Sequence, residues 1–160
     1  MATVKRVQSQ HLASLLKPSS QFSELFKLEP LDAVELVKLG IPARFLVRIS
    51  QSMDRSVRQV APLFCLTPST AARKVKANAT FSVNESERVL GLARLIGQVE
   101  VIVEESGHSE GFNAAKWVSE WLSRPATALG GRCPYEFMDT DDGRRLVSEL
   151  VSRMQSCAYS

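Results

Sequence analysis

Few residues of this 160-residue chain could perform covalent chemistry. Its three cysteines are far apart and form no C-x-x-C pair, which argues against a disulfide framework and against a zinc site. The two histidines, His11 and His108, lie in no known nucleophile or metal motif. Gly130-Gly131 is too short a glycine run to cradle a phosphate. The sequence therefore predicts no catalytic residue, no metal and no cofactor, and the chemistry that remains is that of binding.

The stretch best suited to binding runs from Ala115 to Met138 and holds both tryptophans of the chain. Apolar residues recur there at helical spacing, and Pro125 should end the helix near Arg124, because the residue before a proline avoids the helical region. A turn of small residues follows, in which Gly130 and Gly131 can take positive φ. Large rigid side chains of this kind dominate protein interfaces, although a corner of a domain core carries the same residues.

A second candidate binding segment lies in the first half of the chain. Thr67 is a strong N-cap and Pro68 suits the first helical position, so a short helix should run from Pro68 to Asn78. A short apolar helix precedes it, and such a pair is typical of a helix-turn-helix that enters a DNA groove. The residues that we expect to reach phosphates or base edges are Thr67, Ser69, Thr70, Arg73, Lys74 and Lys76.

Two residues depart from the usual helix-turn-helix pattern. Pro62 should kink the first helix or end it early, and Cys65 stands in the turn where many such motifs have glycine. A plain helical hairpin with a solvated basic face therefore remains an alternative, as does a protein-binding adaptor with a vestigial motif.

The charge of the chain divides between its halves. Residues 1–80 hold 12 lysines and arginines against 5 aspartates and glutamates, a balance of +7, whereas residues 81–160 hold 8 against 12, a balance of −4. A basic half suits a polyanion and an acidic half does not, so the asymmetry indicates two different partners.

The elements that must position these segments are all helical. No strand pattern occurs, and we predict an all-α fold with a flexible tail or a weak first helix at 1–20, a helix-turn-helix and dimerisation domain at 21–80, and a helical domain at 81–160. Arg44 and Arg48 should lie one turn apart on the outer side of a helix. A capping box at Ser82 or Asn84 should open a long helix that ends near Ser106.

The composition predicts a cytoplasmic protein without a membrane partner. Hydrophobic residues make up 44% of the chain, enough for a real core, yet no apolar run is long enough to span a bilayer. The first ten residues lack the apolar stretch of a signal peptide.

The string WL-x-x-P-x-x-ALGG-x-x-P at residues 121–134, followed by T-x-x-G at 140–143, resembles the toxin-binding domain of the Xre/MbcA/ParS antitoxin family. The resemblance spans about residues 68–159. It implies a type II antitoxin with an Xre-like helix-turn-helix, whose partner is a RES-domain toxin that degrades NAD. The antitoxin would cover the toxin's active site and repress its own operon as a homodimer on operator DNA. A stand-alone regulator whose C-terminal domain only dimerises is the alternative.

The resemblance and the anchor-like side chains together indicate the residues that would contact the toxin. They are Trp121, Leu122, Arg124, Leu129, Gly130, Gly131, Pro134, Arg153, Tyr159 and Ser160. Some of these aromatic and apolar residues, Leu122 and the neighbouring Trp117 above all, could belong to the core instead. Because pseudo-palindromic operators require two copies, we also expect a dimer surface among the leftover apolar faces of residues 22–51.

Overall fold

A computed structural model of the protein describes residues 2–107 and 109–158. Within these ranges it consists of α-helices joined by turns and short 3₁₀ segments, with no β-strand, which confirms the predicted all-α class. No helix in the described ranges has the length and apolar character needed to cross a membrane. The helices are α1 (Ala2–Ser14), α2 (Phe22–Phe26), α3 (Pro30–Leu39), α4 (Arg44–Ser52), α5 (Val57–Val60), α6 (Pro68–Lys76), α7 (Val83–Glu105), α8 (Ala114–Leu122) and α9 (Asp141–Ala158).

Local capping residues set the bounds of the helix-turn-helix. Ser56 opens α5 through a capping box with Gln59. The α-helix ends at Val60 and continues as a 3₁₀ segment that contains Pro62, so the prediction that this proline ends the helix early is confirmed. Cys65 follows with a left-handed φ of 55°, the conformation that glycine adopts more easily.

A helix occupies much of residues 1–20, for which the sequence left a flexible tail and a weak first helix as alternatives. α1 covers Ala2–Ser14. Leu12 near the end of this helix and Leu15 directly after it are buried. Arg48 of α4 donates hydrogen bonds to the carbonyl oxygens of Leu15 (3.1 Å) and Ser20. The apolar pattern of α1 is weak, so what orders the segment is its contact with distant residues.

Helix α7 lies at the centre of the molecule and contacts α2, α3, α8 and α9. A Cβ atom at Gly97 would lie 2.1 Å from the carbonyl oxygen of Phe22, so only glycine allows α2 to pack this closely. One hydrophobic core runs from Leu12 to Val151 and crosses residue 80 without a break. The division of the chain at residues 80 and 81 therefore stays a prediction, since the packing does not separate there.

Candidate interaction surfaces

The start of α6 is organised by the hydroxyl of Thr67. Its Oγ1 accepts a hydrogen bond from the backbone N–H of Thr70 (3.2 Å) and donates one to Thr70 Oγ1 (2.8 Å). It also lies 3.1 Å from the Ser69 hydroxyl. The N-cap predicted from sequence is confirmed, and the three hydroxyl residues form one polar cluster at the exposed end of the helix.

The three basic residues of α6 differ in their surroundings. Arg73 and Lys76 are exposed along the helix. Lys74, by contrast, is half-buried, and its Nζ lies 2.8 Å from Glu85 Oε2 in the first turn of α7. Burial alone would raise the pKa of the Glu85 carboxyl, but hydrogen bonds from Lys74 and Ser82 outweigh it and hold that pKa below its ordinary value. Lys74 already has an anionic partner, which does not fit the phosphate contact expected of it.

One basic residue near α6 was not among the predicted DNA contacts. Arg44 at the start of α4 donates from Nε (3.0 Å) and Nη2 (2.7 Å) to Oδ1 of Asn78, which follows α6. Asn78 has a φ of 49°, a left-handed conformation that asparagine tolerates better than most residues. The pair is 34 residues apart, so no local pattern could have joined them.

The small-residue turn of the second half is a compact hairpin, residues 126–132. Ala126 N–H donates to the carbonyl of Arg132 (3.0 Å), and Gly131 N–H donates to that of Ala126 (3.0 Å). Gly130 and Gly131 have φ values of 66° and 82°, which confirms the predicted positive φ. Both glycines are exposed, and a Cβ atom on either would meet nothing within 4 Å. The tip of the hairpin is therefore bare backbone open to solvent.

An arginine at the end of this hairpin and a tyrosine just after it were not among the predicted contact residues. The Arg132 guanidinium lies 4.4 Å from the ring centroid of Phe137 and 3.1 Å from Glu136 Oε2. Hydrogen bonds from the Cys133 N–H and from Arg132 lower the pKa of the Glu136 carboxyl. Tyr135 is 46% exposed beside them. Their position next to Gly131 and the buried Pro134 was the signal that could have identified them.

Three of the predicted contact residues lie inside the protein. Leu122 is fully buried, and Leu129 within the hairpin and Pro134 just after it are buried as well. Their side chains cannot meet a partner while the fold is intact, so the contact predicted for them does not fit. Trp121 is half-buried, and its ring stacks on Trp117 with centroids 5.6 Å apart. The apolar half of the motif thus anchors the hairpin from below.

The remaining predicted residues are spread more widely. Arg124 is exposed and pairs with Glu120 one turn earlier (3.3 Å). Arg153 is exposed on α9. It lies ten residues beyond Gly143, the residue at which α9 touches Phe137, and ten residues correspond to about 15 Å along the helix axis. Tyr159 and Ser160 lie outside the described residues. In the described part of the chain, no group of three or more His, Cys, Asp or Glu side chains could hold a metal ion.

Comparison with known proteins finds two family models that match different parts of the chain. Residues 32–94 match the family model of the antitoxin Xre-like helix-turn-helix domain, and residues 110–156 match that of the antitoxin Xre/MbcA/ParS C-terminal toxin-binding domain. A relative from Sphingobium sp. (strain YBL2), named Prs ADP-ribosylating antitoxin, is 36% identical over 143 residues, which cover 89% of this chain and 90% of the relative.

The helix-turn-helix geometry and these matches define an antitoxin of a toxin–antitoxin system, with a helix-turn-helix domain ahead of a toxin-binding domain. The chain belongs to the Xre/MbcA/ParS family of antitoxins, as its sequence motif predicted.

Proposed function

We propose that the chain neutralises a RES-type toxin that consumes NAD, and that it does so by covering the toxin's active site with the hairpin at 126–132 and the C-terminal tail. The observation that carries the proposal is the exposed tip of the hairpin, where Gly130 and Gly131 leave the backbone bare. Backbone amides and carbonyls at such a tip can approach a partner more closely than any side-chain surface allows. Buried anchors below the tip hold it in place, so little ordering is needed on binding.

The charge around the hairpin is compatible with binding to a toxin pocket that holds the diphosphate of NAD. Arg132 and Arg124 are each paired with a glutamate of their own surface, so the rim presents balanced charge rather than a cationic cluster. The half of the chain that carries it is acidic, with a balance of −4, and is attracted to the basic residues that bind a diphosphate.

Gly130→Leu tests this surface. The new side chain projects into open space in the free protein, yet it should block close approach of a toxin, so we expect loss of neutralisation in a co-expression growth assay. The matched control is Gly107→Leu, which has a similar φ of 73° and equally open surroundings but lies outside the hairpin. Equal neutralisation by both variants, with circular dichroism unchanged, would contradict the proposed surface.

Truncation after Met154 tests the tail. The variant lacks residues 155–160 and keeps the buried positions Val147, Leu150 and Val151 of α9. We expect the fold to persist by circular dichroism while neutralisation of the toxin from the neighbouring gene falls. If the neighbouring gene product does not stop growth when expressed alone, the stand-alone regulator is favoured instead.

The reaction of the toxin is the second part of the proposal. The resemblance implies NAD degradation, and the Sphingobium relative's name refers to ADP-ribosylation of Prs. Both reactions would break the bond between nicotinamide and ribose and differ in the acceptor, which is water in one and a protein in the other. Incubating the toxin and a cell lysate, which supplies acceptor proteins, with NAD radiolabelled in its ADP-ribose part distinguishes them, because label on protein indicates transfer and free ADP-ribose indicates hydrolysis. The antitoxin should suppress either product.

We further propose that the chain represses its operon as a homodimer. Arg73 and Lys76 on α6 supply cations for phosphate contacts, and Arg44 adds a third near the end of that helix. The dimer surface that we propose is the outer face of α3, where Leu31 and Leu39 are 69% and 53% exposed. Exposed apolar residues grouped on one helix are typical of an interface, and the symmetry of operators favours a second copy as the occupant.

Leu31→Glu tests the dimer. It places a charge in the proposed interface without disturbing the core, because Leu31 faces solvent in one copy. We expect light scattering to show a monomer, with weaker operator binding and unchanged toxin neutralisation. A dimer of undiminished stability would exclude α3 as the contact, and Lys27→Glu is a control on an exposed residue outside it.

A further inference from the structure

The junction between α6 and α7 gathers several contacts around one carboxylate. Glu85 Oε2 accepts a hydrogen bond from Lys74 Nζ (2.8 Å) and another from the Ser82 N–H (2.8 Å). The same ammonium lies 5.6 Å from the ring centroid of the buried Phe81. Both members of the ion pair are mostly shielded, with side-chain exposures of 23% for Lys74 and 15% for Glu85. The pair is therefore less screened than a surface salt bridge.

The backbone on which this pair rests is itself fixed. Phe81 N–H donates to the carbonyl of Ile41 (2.9 Å), and Ala43 N–H donates to that of Ala79 (2.8 Å). The Ser86 hydroxyl, one turn into α7, accepts from Ile41 N–H (3.0 Å). Glu85 thus lies beside a backbone segment that is fixed by hydrogen bonds, and its ion pair with Lys74 links this segment to the middle of α6.

We propose that Glu85 and Lys74 are positioning residues, which hold the DNA-reading helix α6 against the first turn of α7 at the angle that operator binding requires. Lys74 then contacts no phosphate, whereas its neighbour Arg73 does. The inference rests on the proposed DNA binding and deepens it, because it assigns opposite roles to two adjacent basic residues of the same helix.

The direction in which Glu85→Gln changes the affinity for DNA distinguishes a positioning role from a purely electrostatic one. A carboxylate near a DNA-binding surface repels phosphates, so electrostatics alone predicts that Glu85→Gln binds DNA more tightly. Positioning predicts the reverse for specific DNA, because the weakened pair lets α6 tilt away from the base edges. Non-specific binding depends on charge rather than on helix angle, so it should rise slightly in Glu85→Gln while specific binding falls.

The DNA experiment compares Glu85→Gln, Lys74→Met and Arg73→Met at several salt concentrations on operator and on unrelated duplex. We expect Arg73→Met to reduce the slope of log affinity against log salt by about 0.9, the value for one lost phosphate contact. Glu85→Gln and Lys74→Met should keep the wild-type slope. Both should lower the ratio of specific to non-specific affinity about fivefold, which is less than a tenfold change in the equilibrium constant. A slope lowered by Lys74→Met as much as by Arg73→Met would overturn the proposal.

A second measurement needs no DNA. Amide hydrogen exchange in the free protein should accelerate along α6 in Glu85→Gln and in Lys74→Met, with no further acceleration in the double variant, because either change breaks the same link. Unchanged exchange in α6 would overturn the proposal whatever the DNA result. If the wild type binds no operator, the proposed repression fails, and the exchange measurement alone then decides whether the pair holds α6.

Discussion

Arg48 shows at the scale of a single residue how a charge can hold a chain segment. Sequence spacing placed it on the outer side of α4, yet it is only 8% exposed and reaches inward. Its guanidinium lies 4.4 Å from the Phe22 ring centroid while it donates to the carbonyls of Leu15 and Ser20. Arginine can do this because its planar group stacks and donates at the same time. Its partners are backbone atoms far away in sequence, so no side-chain pattern announces them.

Arg48→Met should therefore destabilise the protein strongly. It removes the donor from two carbonyl groups, and one charge-assisted hydrogen bond is worth about 1.5–3 kcal/mol, so we expect a loss of about 3 kcal/mol in the free energy of unfolding. Arg44→Met, one turn earlier and exposed, should cost about 0.5 kcal/mol. Urea unfolding of both variants checks this, and similar losses would contradict the anchoring role of Arg48.

Glu100 provides a pH-dependent prediction. Burial raises the pKa of its carboxyl above the ordinary glutamate value, in spite of the hydrogen bond from Ser23 N–H (2.7 Å) and the attraction of Arg48. Its contribution to stability is fully present below the unfolded-state pKa and is lost as the pH rises through the folded-state pKa. Glu100→Gln should thus be more stable than wild type at pH 7, and this advantage should shrink on acidification. Denaturant unfolding across that range measures it, and an advantage that grows in acid would refute it.

At the scale of elements, the packing of α7 depends on the two glycines within it. Gly97 lets the backbone of α2 lie against it, whereas Gly91 faces only the flexible side chain of Arg144. A glycine inside a helix normally lowers stability relative to alanine, so each needs a reason to be there. For Gly97 the reason is close backbone contact, and the helical periodicity of α7 alone could not have revealed it.

The two glycines predict opposite outcomes. Gly97→Ala would place its Cβ 2.1 Å from a backbone oxygen and force α2 to shift, at a cost of about 1–3 kcal/mol. In Gly91→Ala the displaced atoms belong to Arg144, and the gain in helix propensity of about 1 kcal/mol offsets their movement. Thermal unfolding should show a clear decrease for the first and little change for the second; equal decreases would mean that α2 does not need this approach.

At the scale of the whole molecule, both proposed functions share one core. The helix-turn-helix and the toxin-binding half pack on the same helix α7, and buried residues continue from Leu12 to Val151. We therefore expect the two halves to behave as one folding unit rather than as two modules joined by a linker.

The fragments 1–80 and 81–160 should accordingly fail to fold alone. The first loses the surface that covers Leu25 and Phe22, and the second exposes the apolar side of α7. We expect the intact chain to unfold in one cooperative transition by calorimetry, and each fragment to show little helical circular dichroism. Two separate transitions, or a stable fragment 1–80, would argue for independent domains.

Much of this architecture could be predicted from local sequence. Thr67, Ser82 and Pro62 act through neighbours within three residues, so their helix bounds followed from the chain itself. The motif at 121–134 located the hairpin but could not decide whether Leu122 belongs to the core or to an interface, and the structure buries it. The contacts of Lys74 and Arg48 join residues that are far apart or on different helices, so no local sequence pattern indicates them.

The shared helix α7 would also set how long both proposed activities last. A peptidase that cleaves this helix would disrupt the proposed DNA-binding and toxin-binding surfaces together, because both rest on one hydrophobic core. Release of the toxin and derepression of the operon would then occur with the same half-life.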